Sequence, residues 1–380
     1  MENIMYFDHA ATTALDEKVF EEMLPYLKEQ YGNASSAYSI GKLAKEAITI
    51  ARLRIASCLN CNSNEIYFTS GGTESDNLAL KGIAMANFKY GNHIITSKIE
   101  HPAVLNSCKT LEDLGFRVTY LNVDSFGRVN LRELENSINR KTILISIMFA
   151  NNEIGTIQDI KQIGSIAKRY NIFFHTDAVQ AIGNVKINVR DLKIDSLSIS
   201  GHKFYGPKGI GALYVRDGVN FNRISDGGHQ EKDKRSGTEN TAGIVGIGKA
   251  IQIANENLEK YNKKLKLLSE LYVKEVSNRI ANIKINGDLN NKLVGNNNIC
   301  FSGIDGNKLV TELDKKGICV SSGSACSSGL VNPSHVLLAT GINPLLAKGS
   351  LRVTFGKENT LEEVKYLVDN IEEIVNKLRK

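Results

Sequence analysis

Two ionisable side chains close apolar runs in the middle of the chain. Lys203 ends Ser196-Leu197-Ser198-Ile199-Ser200-Gly201-His202-Lys203, and Asp177 ends Phe173-Phe174-His175-Thr176-Asp177 ahead of Ala178-Val179-Gln180. Burying either one unpaired is expensive. One chemistry uses both: a lysine of depressed pKa forms a Schiff base, while an aspartate keeps a pyridine nitrogen protonated so that the ring stores electrons. A salt bridge between neighbouring strands accounts for the same residues without chemistry. A third candidate is Cys326, in Ser321-Ser322-Gly323-Ser324-Ala325-Cys326-Ser327-Ser328-Gly329. That stretch has small residues and no apolar periodicity, so it predicts an accessible thiol. Cys319, in Lys316-Gly317-Ile318-Cys319-Val320, sits in an apolar run and is expected in the core.

Ser70-Gly71-Gly72-Thr73-Glu74-Ser75 reads as a glycine turn opening a helix. Its N–H groups and the helix dipole would favour a phosphate; alternatively, Thr73 simply caps the helix. One helix end contributes only ~0.3 to 2 kcal/mol, so an anion needs further anchors. Two nucleotide motifs fail. In Gly201-His202-Lys203-Phe204-Tyr205-Gly206-Pro207-Lys208 a proline replaces the lysine of a P-loop, and Gly206-Pro207-Lys208-Gly209-Ile210-Gly211 reverses the dinucleotide spacing. The six cysteines are too scattered for a disulfide framework, and Cys58-Leu-Asn-Cys61 has no second pair to complete a zinc site. Reduced thiols and no metal are expected.

The elements that must position these groups follow from periodicity. Runs at Glu65 to Thr69, His93 to Thr96, Arg117 to Leu121, Thr142 to Ile147, Ile172 to Thr176, Ser196 to Ile199 and Gly211 to Val215 predict seven strands. Helical segments at Ser75 to Asn87, Val104 to Leu114, Leu131 to Ser137 and Ile160 to Tyr170 alternate with them, as βαβ units require. The expectation is an α/β protein with a mainly parallel, doubly wound sheet between helices, whose ligands bind beyond the carboxyl ends of the strands. Ala242 to Arg279 predicts one long helix bridging two domains, with the boundary near Asn255. A smaller α+β unit follows and ends in a helix that Thr360 caps, with Glu363 completing a capping box.

The chain has 380 residues, 42% of them hydrophobic, and only 5 prolines, which suits a globular protein with a real core and not a disordered chain. Lys+Arg 47 against Asp+Glu 41 leaves +6, spread along the chain, so no direct nucleic-acid partner is expected. No run approaches the ~20 apolar residues of a membrane span, and the N-terminus lacks the basic start of a signal peptide, so a cytoplasmic protein is expected.

Ser200-Gly201-His202-Lys203, Thr176-Asp177-Ala178-Val179-Gln180, Arg235-Ser236-Gly237-Thr238-Glu239-Asn240 and Ser321-Ser322-Gly323-Ser324-Ala325-Cys326 together resemble a pyridoxal-phosphate-dependent cysteine desulfurase of the class V aminotransferase family, long-cysteine-loop group. The resemblance runs from Tyr6-Phe7-Asp8 to Leu351-Arg352-Val353-Thr354-Phe355-Gly356. It implies fold type I, a homodimer, a large cofactor domain at 15–255, and a small domain from 1–14 and 256–380 that carries the catalytic cysteine.

By position it implies that Lys203 holds pyridoxal 5'-phosphate as a Schiff base, Asp177 faces the ring nitrogen, and Gln180 bonds the phenolic oxygen. His101 would stack on the ring and move protons. Gly72, Thr73, Ser200 and His202 would hold the phosphate, with Thr238 reaching in from the partner subunit. Asn152 and Arg352 would bind the carboxylate of L-cysteine. Cys326 would take the sulfur as a persulfide, leave alanine, and serve an acceptor such as an iron–sulfur scaffold or a tRNA-thiolation enzyme. Selenocysteine lyase, another pyridoxal-dependent lyase or aminotransferase, and a non-catalytic sulfur-relay protein are the competing readings.

The chain departs from the pattern at His229 and Asp233, where glycine is usual, and at Ala34, where proline is usual. It also stops at Lys380, shorter than members whose extended tail docks an iron–sulfur scaffold, which leaves the acceptor open.

Overall fold

A computed structural model describes residues 4–322 and 333–380. Its strands in chain order are β1 (Met5–Tyr6), β2 (Ile66–Thr69), β3 (His93–Ser97), β4 (Arg117–Leu121), β5 (Thr142–Ser146), β6 (Phe173–Asp177), β7 (Ser196–Ser200), β8 (Gly211–Val215), β9 (Ile283–Asn286), β10 (Asn296–Phe301), β11 (Ile318–Cys319) and β12 (Ser350–Thr354). Seven of them form one sheet in the order β2-β8-β7-β6-β5-β3-β4. Only β8 runs against its neighbours; β3 to β7 pair in parallel.

All five residues of β5 and of β7 are buried, as strands covered on both faces must be. On one face, apolar residues of the helices Glu17–Lys28, Ser39–Leu59, Ile160–Arg169 and Thr241–Glu256 pack with Leu197 and Ile199. The helices Gly72–Asn87 and Pro102–Asp113 build a core with β3, β5 and β8 on the other. The helix Gly72–Asn87 also lies across β6 and β7.

A second core joins both chain ends. Phe7 packs with the helices Leu258–Arg279, Gly306–Asp314 and Leu361–Leu378 and with β10 and β12. β9, β10 and β12 form an antiparallel sheet, and β1 pairs with β11. The predicted capping box forms: Thr360 Oγ1 accepts from the Glu363 N–H at 3.2 Å and the Thr360 N–H donates back to Glu363 at 3.1 Å.

Three expectations are corrected. The stretch from Ala242 to Arg279 is two helices broken at Asn257, whose side-chain amide donates to the Ile253 carbonyl at 2.9 Å and competes with continuation of the helix. The helix after β2 begins at Gly72, not Ser75, and Thr73 is not its cap. Gly71 holds that place in a conformation (φ 157°, ψ −176°) open essentially only to glycine, and Glu74 accepts from the Ser70 N–H at 2.6 Å. Cys319 is half-buried on the short strand β11, not in the core.

Candidate functional site

β6 and β7 lie side by side with Asp177 opposite Ser198, so their carboxyl ends deliver Asp177 and Ser200 to the same edge of the sheet. A single turn, Gly201–Lys203, follows β7 and turns Lys203 across that edge. A cavity of about 510 Å³ opens there, between the glycine turn at residues 70–73, the strand ends and β12. Gly72, Thr73, His101, Asn152, Asp177, Gln180, Ser200, His202, Lys203 and Arg352 all line it. Of the sequence-predicted residues, Thr238 is exposed and lies outside this cavity, and Cys326 falls outside the described residues.

The segment Ala10–Thr12 threads the mouth and holds the polar groups. Lys203 Nζ donates to the Ala10 and Ala11 carbonyls at 2.6 and 2.8 Å, and Gln180 Nε2 shares the Ala10 carbonyl at 2.9 Å. His202 Nδ1 meets Thr12 Oγ1 at 3.1 Å. Burial, then the neighbouring Lys203 and Lys208, push His202 down to about 4, so it stands neutral at pH 7. His101 caps the helix Pro102–Asp113: its Nδ1 accepts from the Ala103 N–H at 3.1 Å. Since Nδ1 is an acceptor, the proton of the neutral ring sits on Nε2. Burial pushes this imidazole below its usual value, opposed by Asp177. His101 thus caps a helix and also lines the cavity.

Asp177 is buried and accepts from the Val179 N–H at 2.9 Å. Burial raises its carboxyl, against the pull of His101, the Val179 N–H and Lys203. Around it lie groups that the sequence reading did not single out, and the first of them, Asp76, lines the cavity as well. Asp76, on the helix Gly72–Asn87, is 1% exposed, and it, His101 and Asp177 bring polar atoms within 4.8 Å of one another. Glu100 is equally buried, accepts from Ser97 Oγ at 2.5 Å and from the Met148 N–H at 3.0 Å, and is raised by burial to about 8. A signal for Asp76 exists in the sequence: it is one of three polar residues, with Ser75 and Asn87, that the helix buries alongside Leu78, Ala79 and Ile83.

At the other end of the cavity Arg352 is 6% exposed. Its Nη2 donates to Asp8 at 2.7 Å, its Nη1 to the Asn152 carbonyl at 3.1 Å, and its buried Nε has no hydrogen-bond partner among the described residues. Such a fork suits a carboxylate. Backbone bonds tie Arg352 to Ser321, with Arg352 N–H to Ser321 at 2.6 Å and Ser321 N–H to Arg352 at 3.2 Å. Past the undescribed stretch, Ser334 Oγ donates to Glu153 and the His335 ring meets the Glu100 carbonyl at 3.1 Å. The flanks of the stretch that holds Cys326 are thus bonded to Arg352, which lines the cavity, and to Glu153 and Glu100, next in sequence to its lining residues Asn152 and His101.

The residues present fit pyridoxal phosphate. A Cβ on Gly72 would lie 2.7 Å from Val179 Cγ2, so the turn closes on the strand-end loop only because glycine stands there, and the open helix start offers N–H groups to a phosphate. Lys203 offers an amine and Asp177 a carboxylate to one cavity, the two groups that an aldehyde and a pyridine nitrogen need.

The class-V aminotransferase family profile matches residues 5–367. The chain is 51% identical over 381 residues to the cysteine desulfurase IscS of Clostridium botulinum, covering 100% of this chain and 96% of that one. It is 53% identical over 375 residues to the cysteine desulfurase IscS of Methanosarcina thermophila, covering 99% and 93%. A solved NifS-like protein superposes with a TM-score of 0.93 at 40% identity, over 98% of this chain and 100% of the other. The apo cysteine desulfurase of Thermococcus onnurineus gives 0.88 at 26% identity, over 98% and 95%. With this fold type I architecture and the full-length matches, the chain belongs to the class-V aminotransferase family, among its pyridoxal-phosphate-dependent cysteine desulfurases.

Proposed function

We propose that the protein converts L-cysteine to L-alanine and holds the released sulfur on Cys326 as a persulfide. The observation that carries the reading is the single cavity in which Lys203, Asp177, His101, Arg352 and the Gly72 turn converge. Bound pyridoxal phosphate supplies an electron sink that labilises the substrate's α-hydrogen. Lys203 would hold the cofactor and supply the base for that hydrogen. Gln180, bonded here to the Ala10 carbonyl, would serve the phenolic oxygen, and Asp177 would keep the ring nitrogen protonated. Gly72, Thr73, Ser200 and His202 hold the phosphate, with Thr238 of a second copy completing the cradle. Arg352 and Asn152 orient the carboxylate, which displaces Asp8 from the guanidinium.

Cys326 as thiolate attacks the substrate sulfur: a sulfur–sulfur bond forms, the carbon–sulfur bond breaks, and its electron pair stays with the carbon skeleton, which leaves as alanine after protonation. An ordinary thiol is only a few per cent ionised at pH 7, so a site group such as His101 must assist.

The exposed Thr238 and the apolar flank formed by Ile40, Leu43, Ile50 and Leu53 on the helix Ser39–Leu59 support a homodimer, which sedimentation would test. The second core supports a large unit at 15–255 and a small one from 1–14 and 256–380. The acceptor is a sulfur-carrying or scaffold protein of iron–sulfur assembly or tRNA thiolation, in the cytoplasm; among the described residues no helix is long and apolar enough to cross a membrane.

Cys326→Ala is expected to bind cofactor and shift its visible band with cysteine, yet to form no persulfide. Sulfide release at the parental rate would overturn the assignment of the nucleophile. Lys203→Ala is expected to abolish turnover, and unchanged activity would remove the Schiff-base role.

A further inference from the structure

Asp76 is a buried carboxyl that the proposed reaction leaves without a task. It belongs to a polar layer between the helix Gly72–Asn87 and the serine face of β7. There His175 Nδ1 meets Ser146 Oγ at 2.9 Å and His175 Nε2 meets Ser198 Oγ at 3.0 Å. Asp76 Oδ1 has no hydrogen-bond partner among the described residues, and His175 Nε2 stands 3.7 Å from it. His175 is no counter-ion: both ring nitrogens are engaged, and burial pushes it down to about 3.

Two carboxyl groups within 4.8 Å of one another, both buried, cannot both ionise without a cation between them. One proton is shared, and the neighbours decide where it resides. Asp177 faces His101 and the Lys203 amine and accepts the Val179 N–H. Asp76 faces Asp177, the neutral His101 ring and, more weakly, Glu100; a hydrogen bond with Ser198 favours its ionised form but ranks below burial and Asp177. Burial first, then Asp177, drives the Asp76 acid well above the usual carboxyl range.

We propose that Asp76 is a positioning residue, a neutral carboxylic acid that takes the proton of a buried pair and so leaves Asp177 as its one ionised member. This rests on the reading of Asp177 as the partner of the ring nitrogen. A negative charge on Asp76 would raise the proton affinity of Asp177 and weaken its hold on a pyridinium, whereas a neutral acid fills the layer without that penalty.

The test is an infrared difference spectrum of the holoenzyme without substrate at neutral pH, wild type minus Asp76→Asn. The difference is expected to contain a protonated-carboxyl band that shifts in deuterium oxide, with Glu100→Gln marking the separate band of Glu100. Because Asn is also neutral, Asp76→Asn is expected to keep kcat/KM within about three-fold and its pH profile unmoved. Asp76→Ala, which leaves Ser198 without its neighbour, is expected to lose about ten-fold in cofactor affinity. The proposal is overturned if the difference spectrum holds no acid band, or if Asn moves the pH profile or loses affinity as Ala does. The band is read without turnover, so failure of the desulfurase reading, seen in the persulfide assay of Cys326→Ala, remains separate.

Discussion

At residues 196–203 and at residues 229–233 the chain holds polar side chains in place by opposite means. The first stretch is a strand end. Its serines are pinned between a neighbouring strand and the helix above, and Lys203 is gripped by two carbonyls at 2.6 and 2.8 Å with no unusual backbone. The second is mostly exposed and hangs on one buried side chain. Glu231 takes Arg52 bidentately at 2.6 and 2.7 Å and the Phe68 N–H at 2.8 Å. Around that anchor Glu231, Lys232 and Asp233 all adopt left-handed φ, at 43, 58 and 64°. The left-handed region costs L-residues roughly 1–2 kcal/mol each, less for Asp. Strand ends therefore deliver functional groups without strain, whereas this rim accepts strain to satisfy one ion pair.

That contrast explains one departure from the family pattern and not the other. Asp233 occupies a conformation in which glycine is at ease, but His229 has φ −90°, where glycine has no advantage. The exposed His229 and Asp233 side chains meet at 2.5 Å.

The sharpest test of the strand-end arrangement is Asp177→Asn. It keeps the shape and removes the charge, and kcat is expected to fall about a hundred-fold or more with the fold intact. A loss under three-fold would mean that the converging geometry does not do the chemistry.

A smaller effect concerns what burial does beneath the site. Glu100 titrates near 4.5 when unfolded and near 8 when folded. The unfolded state releases this proton first, so wild-type stability falls as pH rises through that window. Glu100→Gln does not titrate there. Its melting temperature relative to wild type is expected to climb from about pH 5 to pH 8, by thermal melts at several pH values. A flat difference would show that Glu100 carries no burial penalty.

The smallest effect belongs to the rim. Asp233→Gly relieves a left-handed residue but frees the unfolded chain, so a gain of about 0.5 kcal/mol is expected from denaturant unfolding. A loss would mean that the His229 contact outweighs the strain and that the rim is no looser than the pocket.

Most strands could be read to within a residue or two because alternating and continuous apolar runs bounded by polar turns have few other solutions. Lys203 and Asp177 were legible as charged residues at the ends of such runs, whereas His101 and Arg352 were expected from the family resemblance alone. The meeting of Asp76 with Asp177 and the role of Glu100 were not. The pattern Ser196-Leu197-Ser198-Ile199-Ser200 states which residues share a face, but not that a helix covers the serine face and makes it a buried polar layer. The break at Asn257 was hidden for a related reason, since the same apolar period continues on both sides of it.

Local sequence thus determined which segments become strands and helices, and which reactive side chains stand at their ends, because period and capping act over a few residues. Tertiary structure alone decided that Asp76 meets Asp177, that Asp8 occupies Arg352, and that Ala10 is shared by Lys203 and Gln180. Those pairs lie up to 344 residues apart, and burial and charge state arise only when distant segments exclude water together.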